Sequence, residues 1–286
     1  MAGKNERQRR QARERHRRQQ EQRVLRQQRV RRRWAIGTLA VLVAAGVGTL
    51  LLVFLPGGSA KKTSASASKS PSATPSATTV AEPAHHCSYA SATPVAKKVS
   101  FPPATPDYTN SYQATLNTNQ GKITFNLLNS KATCTVNSFV HLAEAGYFNN
   151  TQCHRLLTSG IYVLQCGDPY ATGATKLNCS ATSKIGTGTP GYDFASENLT
   201  GAKYPAGTVA MANEGSATTN GSQFFIVFKD STSGLTASYT PFATVSSGLG
   251  IVQNVAKDGY SCQYAQSGGG APKKKVIIDS VTIKKT

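Results

Sequence analysis

Two stretches carry the side chains with the most chemical potential. Cys153-His154-Arg155-Leu156-Leu157 is followed by Gln165-Cys166-Gly167-Asp168, and Met211-Ala212-Asn213 by Asn220-Gly221-Ser222-Gln223-Phe224-Phe225-Ile226. Taken alone, they put Arg155 and Gln165 on two short strands joined by a turn. Asn213, Gln223 and Phe225 surround a loop of Gly, Thr and Asn. One planar cation with several donors, three amides and an apolar floor make a small groove that can hold a polypeptide by hydrogen bonds. No nucleophile–base pair is evident. There is no Gly-x-Ser-x-Gly elbow, and neither His141 nor His154 sits in a hydrolase signature. Cysteine spacing gives no Cys-x-x-Cys pair, and His85-His86-Cys87 lies in a Ser/Pro-rich stretch, so no metal site is expected.

The elements that must position these residues are short. Tyr112 to Leu128 alternates apolar and polar residues around Gln120-Gly121, the pattern of a hairpin. Val136, Phe139, Val140, Leu142 and Ala143 recur at helical spacing within Thr135–Tyr147, which Gly146 stops. Ile251–Val255 predicts a second short helix. The apolar runs 160–165, 207–212, 223–228, 242–245 and 275–283 are divided by Gly, Ser, Thr and Pro. Many short strands with two helices predict an antiparallel barrel or sandwich. Residues 108–286 are long enough for one substantial core.

The preceding residues differ in kind. Of the formal net charge of +19, residues 1–33 supply +11, with 14 Lys/Arg against 3 Asp/Glu. That tail has no aromatic side chain to stack on bases, so the high charge is not read as nucleic-acid binding. Trp34–Leu55 holds 22 residues without a charge, enough to span a hydrocarbon core of about 30 Å. The basic flank orients such a span with the tail in the cytoplasm and all later residues outside. A cleaved signal peptide would have an apolar stretch of about 7–15 residues, so an uncleaved anchor is the expectation. Residues 56–107, rich in Ser, Ala, Thr and Pro, read as a disordered linker, with a later part from Cys87 to Asp107 that can dock on the domain. All six cysteines follow the span, on its oxidising side, and an even count there favours disulfides. Spacing does not choose among the pairings, although Cys153 and Cys166 flank a hairpin.

In combination the motifs are far more specific. From Gln113 to Ile283 the chain resembles the cyclophilin family of peptidyl-prolyl cis-trans isomerases. The resemblance rests on Thr135-Val136-Asn137-Ser138-Phe139, Gly146-Tyr147-Phe148, His154-Arg155, Gln165-Cys166-Gly167-Asp168, Met211-Ala212-Asn213, Gly221-Ser222-Gln223-Phe224-Phe225-Ile226 and Phe242. The arrangement with a tether resembles exported, membrane-anchored bacterial cyclophilins. The resemblance implies a closed eight-stranded antiparallel β-barrel capped by two α-helices, with a groove on its outer face. It implies that Arg155 is the catalytic arginine, acting with Gln165 and Asn213. The substrate-binding residues it implies are Ala212, Gln223, Phe225 and Leu235, with Val163 and Tyr239 standing where the family usually has Met and His. Tyr162 is the best match to a pocket phenylalanine and Ile161 is the rival register, because the turn after Arg155 is about two residues longer than usual. It implies no cofactor, a monomer, and proline-containing polypeptides as partners. Trp34 is the only tryptophan, so the pocket tryptophan associated with tight cyclosporin binding is absent and weak cyclosporin binding is expected. The alternative function is a catalytically weak proline-peptide-binding or chaperone module of the cell envelope.

Overall fold

A computed structural model describes residues 86–180, 182–264 and 268–286. The basic tail, the apolar segment 34–55 and residues 56–85 of the linker lie outside the described residues. Among the described residues, no helix is long and apolar enough to cross a membrane.

The chain runs β1 (Tyr89–Ser91), β2 (Tyr112–Thr118), β3 (Gly121–Leu127), α1 (Thr133–Glu144), β4 (Thr151–Gln152), β5 (Arg155–Ser159), β6 (Ile161–Cys166), β7 (Tyr192–Phe194), β8 (Thr208–Met211), β9 (Phe224–Val227), β10 (Pro241–Ser247), α2 (Leu249–Lys257) and β11 (Ile277–Lys285). The expected hairpin is β2–β3, turning at Asn119-Gln120. Gly121, with φ of +119°, starts the return strand, and a Cβ there would sit 2.9 Å from Cδ1 of Ile251. Glycine therefore lets α2 pack against the turn.

Nine strands form one curled antiparallel sheet in the order β4-β11-β2-β3-β10-β8-β9-β6-β5. Its two edge strands, β4 and β5, are successive in the chain, with only Cys153 and His154 between them. Both linking residues are bonded outward: Cys153 N–H donates to Val276 O (2.9 Å) and His154 N–H to Gln165 O (3.0 Å). The count differs from the expected eight because these two residues divide one bent strand into two pieces. The bend lets residues 151–159 pair with β11 at one end and β6 at the other.

Pleating points alternate side chains to opposite faces. Inside, Phe125, Phe139, Phe148, Phe224 and Phe242 form the aromatic centre, with Phe139 5.2 Å from Phe242 and 5.6 Å from Phe224. Helix α1 closes this core with Val136, Phe139 and Leu142, and α2 with Val252 and Val255. The residue before α1, Ala132, has no side chain to cap the helix. Glu197 supplies the cap from a distant loop, accepting from the backbone N–H groups of Cys134 (3.1 Å) and Thr135 (2.7 Å). A carboxylate at this end also complements the helix dipole.

The later part of the linker docks as expected: residues 86–107 belong to the folded unit, so that unit begins before residue 108. Cys87 is buried and bonded to Cys134, and β1 adds to β7 as a two-stranded sheet. The Tyr89 hydroxyl donates to Cys134 O (2.9 Å) and accepts from Asn137 (2.8 Å), while its ring meets Tyr192 edge-on at 5.4 Å. A composition of Ser, Ala and Pro hid three anchors: one cysteine, one tyrosine and Lys97, whose ammonium donates to the Gly146 and Tyr147 carbonyls beyond the end of α1. All six cysteines are paired, the other bonds being Cys153–Cys166 and Cys179–Cys262. Cys87 is therefore held in a disulfide rather than present as a thiolate.

Candidate active site

The groove lies on the outer face of β5, β6, β9 and β8. Cross-strand register places Arg155, Gln165, Phe225 and Ala210 in one row across the four strands. The next row is Leu157, Val163 and Val227. Because alternation is strict, Phe224 and Ile226 enter the barrel core while Phe225 and Val227 build a second, separate apolar cluster outside it. Ala212, Leu235 and Tyr239 pack on this cluster, and the Tyr239 ring meets Phe225 edge-on at 5.5 Å.

A polar relay borders the apolar cluster. Arg155 Nη1–H donates to Gln165 Oε1 (2.9 Å), and Gln165 Nε2–H donates to Gln223 Oε1 (2.9 Å). The Gln223 amide then donates to the Gly186 and Gly188 carbonyls (3.1 and 3.2 Å). The Nε–H of Arg155 donates to Gly268 O (3.0 Å). Each amide in the relay thus accepts from one neighbour and donates to the next, which fixes its orientation. Gly167 permits the relay: a side chain there would strike the Ser222 carbonyl, which would push Gln223 away from Gln165. Burial pushes the Arg155 guanidinium below its usual pKa, opposed by Tyr239 and Tyr264. A guanidinium holds its charge through such a shift.

Asn213 anchors the other wall. Its Nδ2–H donates to Ser238 O (2.8 Å) and its Oδ1 accepts from Gly215 N–H (3.1 Å). Gln165, Gln223, Ala212 and Asn213 share one recess.

One assigned residue is misplaced. Tyr162 does not face the apolar pocket. Its ring packs with the barrel-side cluster, edge-on to Phe228 at 6.0 Å, with the Lys229 ammonium 4.5 Å from its centre. Ile161 packs on the outer cluster instead. Two residues apart on a strand share a face, so Val163 and Ile161 point together and Tyr162 points away. The Ser231 hydroxyl accepts from Tyr162 N–H (2.9 Å), and Gly234 packs against Gly160 and Ile161, holding the longer turn in this register.

Two contributors escaped the sequence reading. Tyr204 is fully buried beneath Phe225, and its hydroxyl donates to Tyr239 O (2.9 Å), orienting the segment that carries Tyr239. It stands alone before Pro205, without a periodic neighbour to flag it. Tyr264 donates to His154 O (3.1 Å) beside the relay.

A family model for cyclophilin-type peptidyl-prolyl cis-trans isomerases matches residues 113–283. The chain belongs to the cyclophilin family. It is 42% identical over 206 residues to the probable peptidyl-prolyl cis-trans isomerase B of Mycobacterium leprae, covering 66% of this chain and 61% of that protein. The isomerase B of Mycobacterium tuberculosis strain H37Rv is 43% identical, over 58% of this chain and 52% of its own length. This chain therefore spans only about half to three-fifths of those relatives. Against a peptidyl-prolyl cis-trans isomerase-like 1 of Emericella nidulans it is 37% identical and covers 79% of that relative. Among solved structures, a Cryptosporidium parvum cyclophilin superposes with a TM-score of 0.50 at 26% identity, covering 62% of this chain and 99% of the other.

Within this cyclophilin, His154 is fully buried between the relay and the core, and neither ring nitrogen has a hydrogen-bond partner among the described residues. Burial, with the adjacent Arg155 charge, lowers its pKa to about 3. The unfolded imidazole takes a proton near pH 6.5, whereas the folded one stays neutral, so the unfolded state binds the extra proton between those values. Stability is then unaffected above pH 6.5 and declines as pH falls below it, by about 2 kcal/mol at pH 5. Burial raises the Asp168 pKa, which acts in the opposite sense as that carboxyl takes up protons. Urea unfolding at pH 7 and pH 5 will show this loss, and His154→Phe will flatten it. An unchanged slope in the variant would assign the proton uptake elsewhere.

Proposed function

We propose that the chain is a peptidyl-prolyl cis-trans isomerase acting on X-Pro bonds of exported proteins. The observation that carries the reading is the Arg155 guanidinium, fixed by the relay at the rim of an apolar cluster.

Rotation about an X-Pro bond is slow because resonance gives the C–N bond partial double-bond character, with a barrier near 20 kcal/mol. Twisting localises the lone pair on the prolyl nitrogen. With the proline ring on Phe225, Val163, Ile161 and Leu235, the Arg155 guanidinium donates a hydrogen bond to that nitrogen. A planar amide nitrogen has no such lone pair to offer, so the bond exists only in the twisted state. It lowers the barrier without stabilising the ground state. Gln165 and Gln223 hold the guanidinium in place, and Asn213 holds the substrate backbone on one side while the other side rotates. The step makes and breaks no covalent bond.

The cellular setting belongs to the same proposal. Trp34–Leu55 anchors the chain, the basic tail stays in the cytoplasm, and the isomerase domain lies outside. Three disulfides in one small domain suit an oxidising compartment.

The test is a prolyl-isomerisation assay on the purified full chain. Acceleration of cis-to-trans conversion in a proline tetrapeptide is expected. A folded chain that binds the peptide without accelerating it would support the binding-module alternative. In the same assay, Ile161→Ala will raise KM several-fold. Tyr162→Ala will lower the melting temperature while leaving KM near that of the parent. The reverse pattern would restore Tyr162 to the pocket.

A further inference from the structure

The relay ends on two loops, and a disulfide outside the family motifs ties those loops together. One end is Gln223, which donates to Gly186 and Gly188 in the loop after Asp168. The other is Arg155, whose Nε–H donates to Gly268 O in the loop between α2 and β11. Cys179 belongs to the first loop and Cys262 to the second, and they are bonded. Both are half-buried, whereas Cys153 and Cys166 are buried within the sheet.

The second loop is also held by its own backbone: Ser261 N–H donates to Ala271 O (2.8 Å), Gly268 N–H to Tyr264 O (3.2 Å) and Tyr264 N–H to Gly269 O (2.9 Å). Gly270 exchanges two backbone hydrogen bonds with Leu156 (2.8 and 2.9 Å), and the Tyr264 hydroxyl reaches His154 O. Gly268 and Gly269 are thereby tied to Tyr264, two residues after Cys262, and the cross-link fixes Cys262 against the first loop.

We infer that the Cys179–Cys262 disulfide is a positioning clamp for Arg155, setting the guanidinium through the Gly268 carbonyl, and this rests on the proposed isomerase reading. Loss of the clamp lets Gly268 move and the guanidinium lose its aim. Misplacement of a catalytic group by about 1 Å costs up to about a hundredfold in rate. A partial loss, with the Gln165 bond intact, corresponds to about tenfold in kcat. The residues that take the proline ring in this reading, Phe225, Val163, Ile161 and Leu235, lie on β6, β9 and the loop after β9 rather than on the clamped loops, so KM stays within about twofold.

Arg155 is the only arginine after Arg33, which makes it directly observable. In the full chain labelled with 15Nε-arginine, its hydrogen-bonded Nε–H gives a slowly exchanging resonance apart from the tail arginines, assigned by its absence in Arg155→Ala. The Cys179→Ser/Cys262→Ser double variant is expected to speed exchange of that proton and to lower kcat about tenfold. Tyr264→Phe, which keeps the disulfide and removes the second hold, gives a smaller change of the same sign in both readouts. An unchanged Arg155 resonance and unchanged kcat in the folded double variant would overturn the clamp. If the double variant does not fold, the same exchange is read in the parent chain after mild reduction and alkylation of this half-buried bond with the other two disulfides intact, and an unchanged Arg155 resonance there would overturn the clamp. A parent chain with no isomerase activity would sink the enzymatic reading, and the Arg155 resonance would still decide whether the disulfide positions the side chain.

Discussion

Arg155→Lys is expected to lower kcat/KM of prolyl isomerisation by about 10²- to 10³-fold, the effect of removing one preorganised donor from a developing charge. The charge survives the substitution, so the loss isolates geometry. Arg155 reaches Gly268 O with Nε and Gln165 Oε1 with Nη1 at 3.0 and 2.9 Å, two directions set by one rigid plane. A lysine ammonium is a point donor on a flexible stem and cannot hold both acceptors while aiming a third N–H at the substrate. The decrease will fall on kcat, with KM within a few-fold, because the bond is absent in the planar ground state. The domain otherwise uses only lysines for positive charge, so arginine at 155 answers to a demand for the fork rather than for cationic character. A lysine variant within fivefold of the parent would remove Arg155 from the catalytic role. Circular dichroism on both proteins separates this from unfolding.

Removing the Cys87–Cys134 bond is expected to produce a large loss of stability. The two residues are 47 apart in sequence. Closing a loop of that size removes unfolded-chain entropy equivalent to about 4 kcal/mol in the chain-entropy treatment. That would lower the melting temperature by about 10 °C at the 2–4 °C per kcal/mol typical of a domain this large. The native side of the balance points the same way. Cys87 is buried, its N–H donates to Ala104 O (2.7 Å), and the neighbouring Tyr89 joins α1 to β7. Without the cross-link, residues 86–107 can peel away and expose Tyr192, Phe194 and the start of α1. Calorimetry on Cys87→Ser/Cys134→Ser measures the shift. Isomerase turnover near that of the parent at low temperature is expected, since this bond lies away from the Arg155 relay. A shift under about 3 °C would mean that the segment's other contacts hold it without the disulfide.

Much of the site was legible before any coordinates. Alternating apolar residues fixed strand faces, because the period of a strand is two and one face is buried. In β9 the same rule separates Phe225, outside the core, from Phe224, inside it. The same rule could not be applied at Tyr162, since the turn before it is longer than usual and strand periodicity says nothing of where a turn releases the chain. Register there was decided by Ser231, Gly234 and Gly160, all remote in sequence or without side chains of their own to signal it.

The sequence by itself pointed to several short antiparallel strands, two helices, a cluster of cationic and amide side chains, and disulfides, while the choice of barrel over sandwich came from the family resemblance. These are local quantities, set by periodicity, composition and residue chemistry within a few positions. Tertiary structure alone decided which cysteines pair, that residues 86–107 fold onto the domain, that Glu197 caps α1, and that Gly268 holds Arg155. Each of these joins residues distant in the chain, from 13 positions for Cys153–Cys166 to 113 for Arg155 and Gly268. Such contacts depend on where the curled sheet brings distant loops together, and no spacing along the chain encodes that distance.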